Sequence, residues 1–298
     1  MIYLFPFITV LIWSGNAINN KLAASVIEPN AMSFYRWFIA VVLLTPVCIP
    51  GVIKQWAVIK ESWLKLAILA LLGMAITQSL GYYAAQSTTA SNMALIMALV
   101  PLLSVFLSVP LLKNRLSSLN IIGGVVSLLG LSYMLGRGDI LFFTHRTVTQ
   151  GDGLMIASAS VYALYCVLVK RWNMPLSTWT FIYMQGVFAV IILLPLLLTS
   201  HQIIPSQASL PVVMYAAIPA SVIAPWLWVK SIRQLGAEAS AMFMNLSPVI
   251  TLILAANFLD EPIHLYHIVG GVAVITGVLL SQLPISKKPR KKGVRVTS

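Results

Sequence analysis

The stretch IIGGVVSLLG at residues 121–130 returns as IVGGVAVITG at residues 268–277, and this pairing decides how the whole chain is read. Gly123, Gly124 and Gly130 are answered by Gly270, Gly271 and Gly277, and Pro101 by Pro248, each 147 positions later (270 − 123, 248 − 101). Further upstream the register slips by two residues. Trp13, Lys21 and Pro46 answer Tyr162, Lys170 and Pro195 at 149 positions (162 − 13, 195 − 46). The chain is therefore two related halves with one small gap. In an apolar chain such doubling is the mark of transporters, whose halves rock about a site near the middle of the bilayer.

Of the 298 residues 59% are hydrophobic and only 9% are charged, far below the roughly 25% charged of a soluble domain. Lipid is the expected solvent. A spanning helix needs about 20 apolar residues, and ten such runs stand between polar breaks: about 3–20, 31–49, 64–85, 90–112, 119–136, 153–171, 176–199, 210–230, 239–259 and 264–283. A membrane barrel would alternate apolar and polar residues, whereas runs such as Ile191-Ile192-Leu193-Leu194 are apolar on every side. The fold class is thus an all-α membrane protein with ten transmembrane helices.

Charge sets the orientation. With a cytoplasmic amino terminus, the inner side holds fifteen basic residues, from Lys54 to the six of the tail, and the outer side only Lys21, Arg36, Arg137 and Arg146. Without the tail the bias is still nine to four, so the positive-inside rule places both termini in the cytoplasm. Five spans per half then make the repeats inverted. The organisation expected is a first five-helix repeat over 1–138, a linker loop over 139–152, a second repeat over 153–284 and a basic cytoplasmic tail over 285–298. The first span lacks the positive leader of a cleaved signal and is read as a permanent helix.

The net charge of +12 is explained by these topology determinants and by a tail lying on anionic lipid, so nucleic acid is not an expected partner. Cys48 and Cys166 both fall inside spans. Neither a disulfide nor a metal site is expected, and no cofactor is called for.

Polar side chains inside apolar helices either join helices or face a watery cavity. Trp13, Asn16 and Asn20 share one face of the first span. Gln78 and Tyr82 line the third, and Tyr162 with Tyr165 the equivalent face of the sixth. With Trp226 and Asn245 they form the expected substrate-binding set, the aromatic rings enclosing cargo and the amides orienting its polar groups. Pro101 and Pro248, midway along the fourth and ninth spans, each remove an amide donor and free the carbonyls of Met97 and Met244, as a hinge or kink would. Met93, Met97, Met242 and Met244 supply adaptable apolar wall. Gly123, Gly130, Gly270 and Gly277, seven apart within each pair, read as helix packing on spans five and ten.

The acids Glu28, Glu61, Asp139, Asp152, Glu238, Asp260 and Glu261 all fall at span ends or in loops, so no carboxylate relay crosses the membrane. Weakly pH-dependent, facilitated transport is the expectation. His264 and His267, beside Asp260 and Glu261, read as an interfacial helix start rather than a ligand pair. Arg36 reads as snorkelling outward or pairing with Glu28, with attraction of a carboxylate as a lesser role.

Together these residues resemble the EamA-type branch of the drug/metabolite transporter superfamily, and within it the aromatic amino acid exporters of the YddG type. The resemblance spans nearly the whole chain. It is carried by Trp13-Ser14-Gly15-Asn16 with Lys21, Phe34-Tyr35-Arg36-Trp37, Tyr82-Tyr83-Ala84, Thr89-Ala90-Ser91 and Pro101. In the second half it is carried by Leu235-Gly236-Ala237, Leu246-Ser247-Pro248, Leu259-Asp260-Glu261-Pro262, Gly270-Gly271 and Gly277. It implies two inverted five-helix repeats in the bacterial inner membrane and a central cavity between spans one to four and six to nine. It also implies export of amino acids or related small metabolites by a monomer or weak homodimer. The chain departs from the family at Lys113-Asn114-Arg115, where a Glu usually precedes the Arg, while Glu261 is kept in the second half. The alternative cargo classes are drugs and nucleosides. An intramembrane enzyme would need a converging acid, base or metal set, which only His264 with His267 approaches.

Overall fold

The computed structural model describes residues 2–113, 116–139, 148–235, 240 and 243–282, with the side chains of 233 and 282 left aside. The tail, Met242, Arg146, Asn114 with Arg115, and Gly236 to Glu238 lie outside these residues. Among the described residues the secondary structure is helical throughout. In chain order the helices are α1 Leu4–Ala23, α2 Pro29–Lys54, α3 Trp56–Leu69, α4 Thr77–Ala84, α5 Ala90–Met97, α6 Val100–Leu112, α7 Ser118–Leu135, α8 Gln150–Trp172, α9 Thr178–Leu198, α10 Leu210–Ala217, α11 Ala224–Leu235, α12 Ser247–Phe258 and α13 Leu265–Gln282.

Among the described residues seven spans are long and apolar enough to cross a membrane: Pro29–Lys54, Trp56–Ala84, Ala90–Leu112, Ser118–Leu135, Gln150–Trp172, Thr178–Leu198 and Gln207–Ile232. Ser247–Phe258 and Leu265–Ser281 are shorter apolar helices. The 20-residue helix α1, which carries Ser14, Asn16, Asn19, Asn20 and Lys21, is not among the seven. The outward faces carry Val47, Leu129 and Leu198, each about two-thirds exposed, as lipid-facing residues should be.

Local chemistry explains the boundaries. Ser117 and Asn120 form a capping box at the start of α7, and Thr149 with Asp152 forms another at α8, each satisfying otherwise orphaned amides. Thr89 and Ser177 cap α5 and α9 with their hydroxyls. Lys113 and Asn173 end α6 and α8 in left-handed conformation, the usual way of stopping a helix.

Two spans are wound too widely. A π turn over Ala70–Ile76 joins α3 to α4, and another over Pro219–Ile223 joins α10 to α11. Their starts lie 149 residues apart (219 − 70), the same spacing that separates Trp13 from Tyr162. A π turn leaves carbonyls without their i+4 donor, and here indoles satisfy them: Trp37 Nε1 donates to Met74 O at 3.1 Å and Trp13 Nε1 to Ala220 O at 3.1 Å.

Equivalent helices from the two halves pack antiparallel. In α2 and α9, Asn30 meets Thr199, Thr45 meets Tyr183, and Gly51 faces Thr180. In α7 and α13, a Cβ built on Gly123 would lie 2.3 Å from Gly277 O, and one on Gly130 would lie 2.8 Å from Gly270 O. Only hydrogen fits at these crossings, which is why these four positions are glycine. Ser127 Oγ donates to Val274 O at 3.1 Å midway between them. Helix α1 crosses to α10, α11 and α12, while α8 crosses to α4, α5 and α6. Matched bonds tie these crossings: Thr9 Oγ1 to Ala224 O at 3.4 Å, and Ser158 Oγ to Thr77 O at 2.9 Å.

Candidate functional site

The face of α1 bearing Trp13, Asn16 and Asn20 meets Gln78 and Tyr82 of α4, and the residue that gathers them is Arg36. Seven residues into α2, about 10 Å from its start at 1.5 Å per residue, Arg36 is only 5% exposed. Its Nη1 donates to Gln78 Oε1 at 3.1 Å, to Tyr82 Oη at 3.1 Å and to Asn16 Oδ1 at 3.4 Å. Nε donates to Ser221 Oγ at 2.9 Å, in the π turn of the other half. Asn16 Nδ2 continues the chain to Asn20 Oδ1 at 3.3 Å.

The π turn makes this contact possible. Ser221 Oγ donates to Ala216 O, five residues back, at 2.8 Å, so its proton is spent and a lone pair is left for the guanidinium. Trp13, through Ala220 O, holds the same turn from the other side.

Arg36 is thus neither snorkelling nor paired with Glu28, as the sequence alone suggested. Glu28 instead accepts from His201 N at 3.2 Å. Among the described residues every hydrogen-bond partner of Arg36 is neutral. A cation held in the interior of a membrane protein without a carboxylate is costly and marks a functional position. These neutral partners are not legible in the sequence because position 36 is close to a helix end, where a long basic side chain ordinarily reaches outward. The available clue was that i+1 is the buried Trp37, whose ring lies 5.7 Å from the guanidinium carbon.

Of the other expected binding residues, Tyr162 and Tyr165 stack on each other at 5.4 Å on α8, with Tyr165 against Gly73 of the first π turn. Trp226 stands apart, 45% exposed, with the Lys230 ammonium 4.9 Å from its ring centre. Asn245 lies in the turn before α12. Pro101 and Pro248 occupy the first turns of α6 and α12, where a missing amide costs little. Each follows a two-residue break, at Ala98–Leu99 and Asn245–Leu246.

The Arg36 cluster is closely packed, with Tyr82 only 2% exposed. A cavity of about 280 Å³ lies instead at the loop end of the bundle, lined among others by Thr88, Asn92, Asp152, Glu261, His264 and His267. Two carboxylates of the second half here grip the first. Glu261 accepts from Ala90 N at 2.8 Å, Ser91 N at 3.1 Å and Ser91 Oγ at 2.8 Å, so it caps α5. Asp152, 1% exposed, accepts from Thr149 N and Oγ1, from Asn92 Nδ2 at 3.1 Å and from the Thr88 hydroxyl. Lys21 Nζ donates to Ala85 O at 2.8 Å and Thr88 O at 2.7 Å. The sequence places these carboxylates at span ends or in loops without their partners, since nothing local links 261 with 90. His264 and His267 flank this latch, with His264 N donating to His267 Nδ1 at 3.3 Å, and no group of three or more metal-type ligands forms among the described residues.

A bundle of apolar helices with a buried cation held by both halves defines a multi-pass membrane protein of transporter type. The particular family follows from comparison with known proteins: residues 1–136 and 149–283 each match the EamA-like transporter family, and the chain belongs to that family, within the drug/metabolite transporter superfamily. An uncharacterized transporter from Archaeoglobus fulgidus is 27% identical over 92% of this chain and 94% of its own. The uncharacterized transporter YyaM of Bacillus subtilis is 27% identical over 90% and 89%. Protein PecM of Dickeya dadantii is 24% identical over 78% of both chains. A solved crystal structure, 18% identical, shares the fold at a TM-score of 0.62 over 94% of this chain and 95% of that one.

Proposed function

We propose that the protein is a secondary transporter that exports amino acids or related small metabolites across the inner membrane by alternating access. The observation that carries this reading is the Arg36 cluster, whose polar groups come from helices of both halves and converge where lipid would otherwise dictate apolar contacts. Two inverted five-helix repeats, 1–138 and 153–284, with both termini in the cytoplasm, fit the antiparallel packing of α2 on α9 and α7 on α13. Rocking of one repeat against the other opens the cluster first to one side and then to the other.

On this reading Trp13 and Tyr82 enclose the cargo's apolar part, and Asn16, Asn20 and Gln78 orient its polar groups. Tyr162 and Tyr165 form the facing wall. Trp226 and Asn245 join the path as the halves move. The breaks before Pro101 and Pro248 are where the fourth and ninth spans bend. Chemistry on the cargo has no part in the mechanism.

The test is counterflow in proteoliposomes loaded with a mixture of the twenty L-amino acids. Labelled amino acid should enter faster than into protein-free vesicles and should saturate. The reading is wrong if nucleotide sugars or sugar phosphates exchange and no amino acid does. Cells overproducing the protein should also withstand inhibitory concentrations of its cargo, which identifies both cargo and direction.

A further inference from the structure

We infer that Arg36 binds a free carboxylate of the cargo, so that the substrate class is small monocarboxylates, amino acids included, and not their amides, amines or phosphate esters. The inference deepens the transport reading and rests on it only for the word cargo.

The chemistry follows from the direction of each hydrogen bond. A guanidinium has donors only, so the atoms facing Nη1 must be the amide oxygens of Gln78 and Asn16 and the phenol oxygen of Tyr82. Their own protons are thereby turned away from the cation. Among the described residues neither the Tyr82 hydroxyl proton nor the Gln78 N–H₂ has an acceptor. Arg36 Nη2 donates to none of the described residues, so its two N–H groups are unspent. The cluster therefore presents N–H from Nη2, N–H₂ from Gln78 and O–H from Tyr82, with no acidic acceptor among them. Such a set complements an anion and repels an ammonium.

The anion is a carboxylate because, among the described residues, Arg36 is the one cation in this cluster. Lys21 of α1 is engaged by Ala85 O and Thr88 O, and Lys54 stands at the far end of α2. A phosphate dianion inside the bundle would be left half compensated, whereas one guanidinium neutralises one carboxylate. The equivalent position in the second half, 149 residues on, is Gln185, which is neutral. At this matched pair of positions the halves thus supply one cation, and cargo neutralises it.

Purified protein in nanodiscs is titrated with each of the twenty L-amino acids, with the carboxamide and the decarboxylated amine of each, with benzoate, lactate and 3-phenylpropionate, and with inorganic phosphate. Equilibrium binding is read by calorimetry. At least one free carboxylate should bind, and its amide, its amine and phosphate should each bind tenfold or more weakly. R36Q should lose that preference, and R36K should retain part of it. Equal binding of acid and amide, tighter binding of phosphate, or no binding by any carboxylate overturns the inference. Should R36Q fail to fold, the comparison of ligands on the wild-type protein still decides. Carboxylate-selective binding without counterflow would sink the transport reading and leave the site standing; counterflow indifferent to the carboxylate would do the reverse.

Discussion

At Trp13 a single N–H decides how the first half holds the second. Ala220 O is freed by the π turn and has the Trp13 indole as its donor. Trp13→Phe keeps the ring and removes the proton, which leaves a buried carbonyl unpaired at a cost of about 1–3 kcal/mol. Thermal melting in detergent should therefore fall measurably, and transport should fall with it, because Ser221 on the same turn positions Arg36. An unchanged melt would mean that the π turn does not need the indole. Trp37, whose indole serves Met74 O, offers the matching substitution in the other half.

At the scale of elements, the crossing of α7 and α13 and the grip of Glu261 on α5 make opposite predictions about stability and motion. Gly123→Ala places a methyl where Gly277 O stands 2.3 Å away, and since backbone cannot yield cheaply the helices must part, at about 1–3 kcal/mol. The same change at Gly153, which has nothing within 4 Å, should leave the melt unaltered. Glu261→Gln keeps the shape of the α5 cap but removes its charge, weakening the bonds from Ala90 N, Ser91 N and Ser91 Oγ. The loop end should then open more readily, and a cysteine at Asn92 should react faster with an impermeant thiol reagent; an equal rate would show that Glu261 does not latch that end.

Much at this scale was legible in the sequence, because glycine spacing reports close backbone approach directly. The spacing of Gly123 and Gly130, and of Gly270 and Gly277, marks packing faces on two helices, though not that these two faces meet each other. Trp13, Asn16 and Asn20 announced a polar face, since their spacing is that of one side of a helix. What stayed hidden depended on distance in space rather than along the chain. Glu261 caps a helix 171 residues away, Asp152 ties Thr88 and Asn92, and Arg36 finds Ser221 on the other half. The π turns were hidden as well, because no residue pattern distinguishes Ala70–Ile76 from an ordinary apolar turn.

For the whole molecule, the account requires that the Arg36 cluster open to each side in turn, with the loop-end latch closing one of the two routes. Among the described residues no carboxylate bonds to Arg36, so counterflow should run at the same rate at equal internal and external pH as under an imposed proton gradient; strict dependence on the gradient would require a proton-carrying group in the path. The most direct test is the reactivity of a cysteine placed at Gln78, in oriented vesicles, toward an impermeant thiol reagent added to one face and then the other. The test is repeated after positions 91 and 261 are joined by a short thiol cross-linker on a background lacking Cys48 and Cys166. The account predicts labelling from both faces when the latch is free, and from the face bearing the chain termini alone when it is joined. Labelling from neither face, or from both with the cross-link in place, would contradict it.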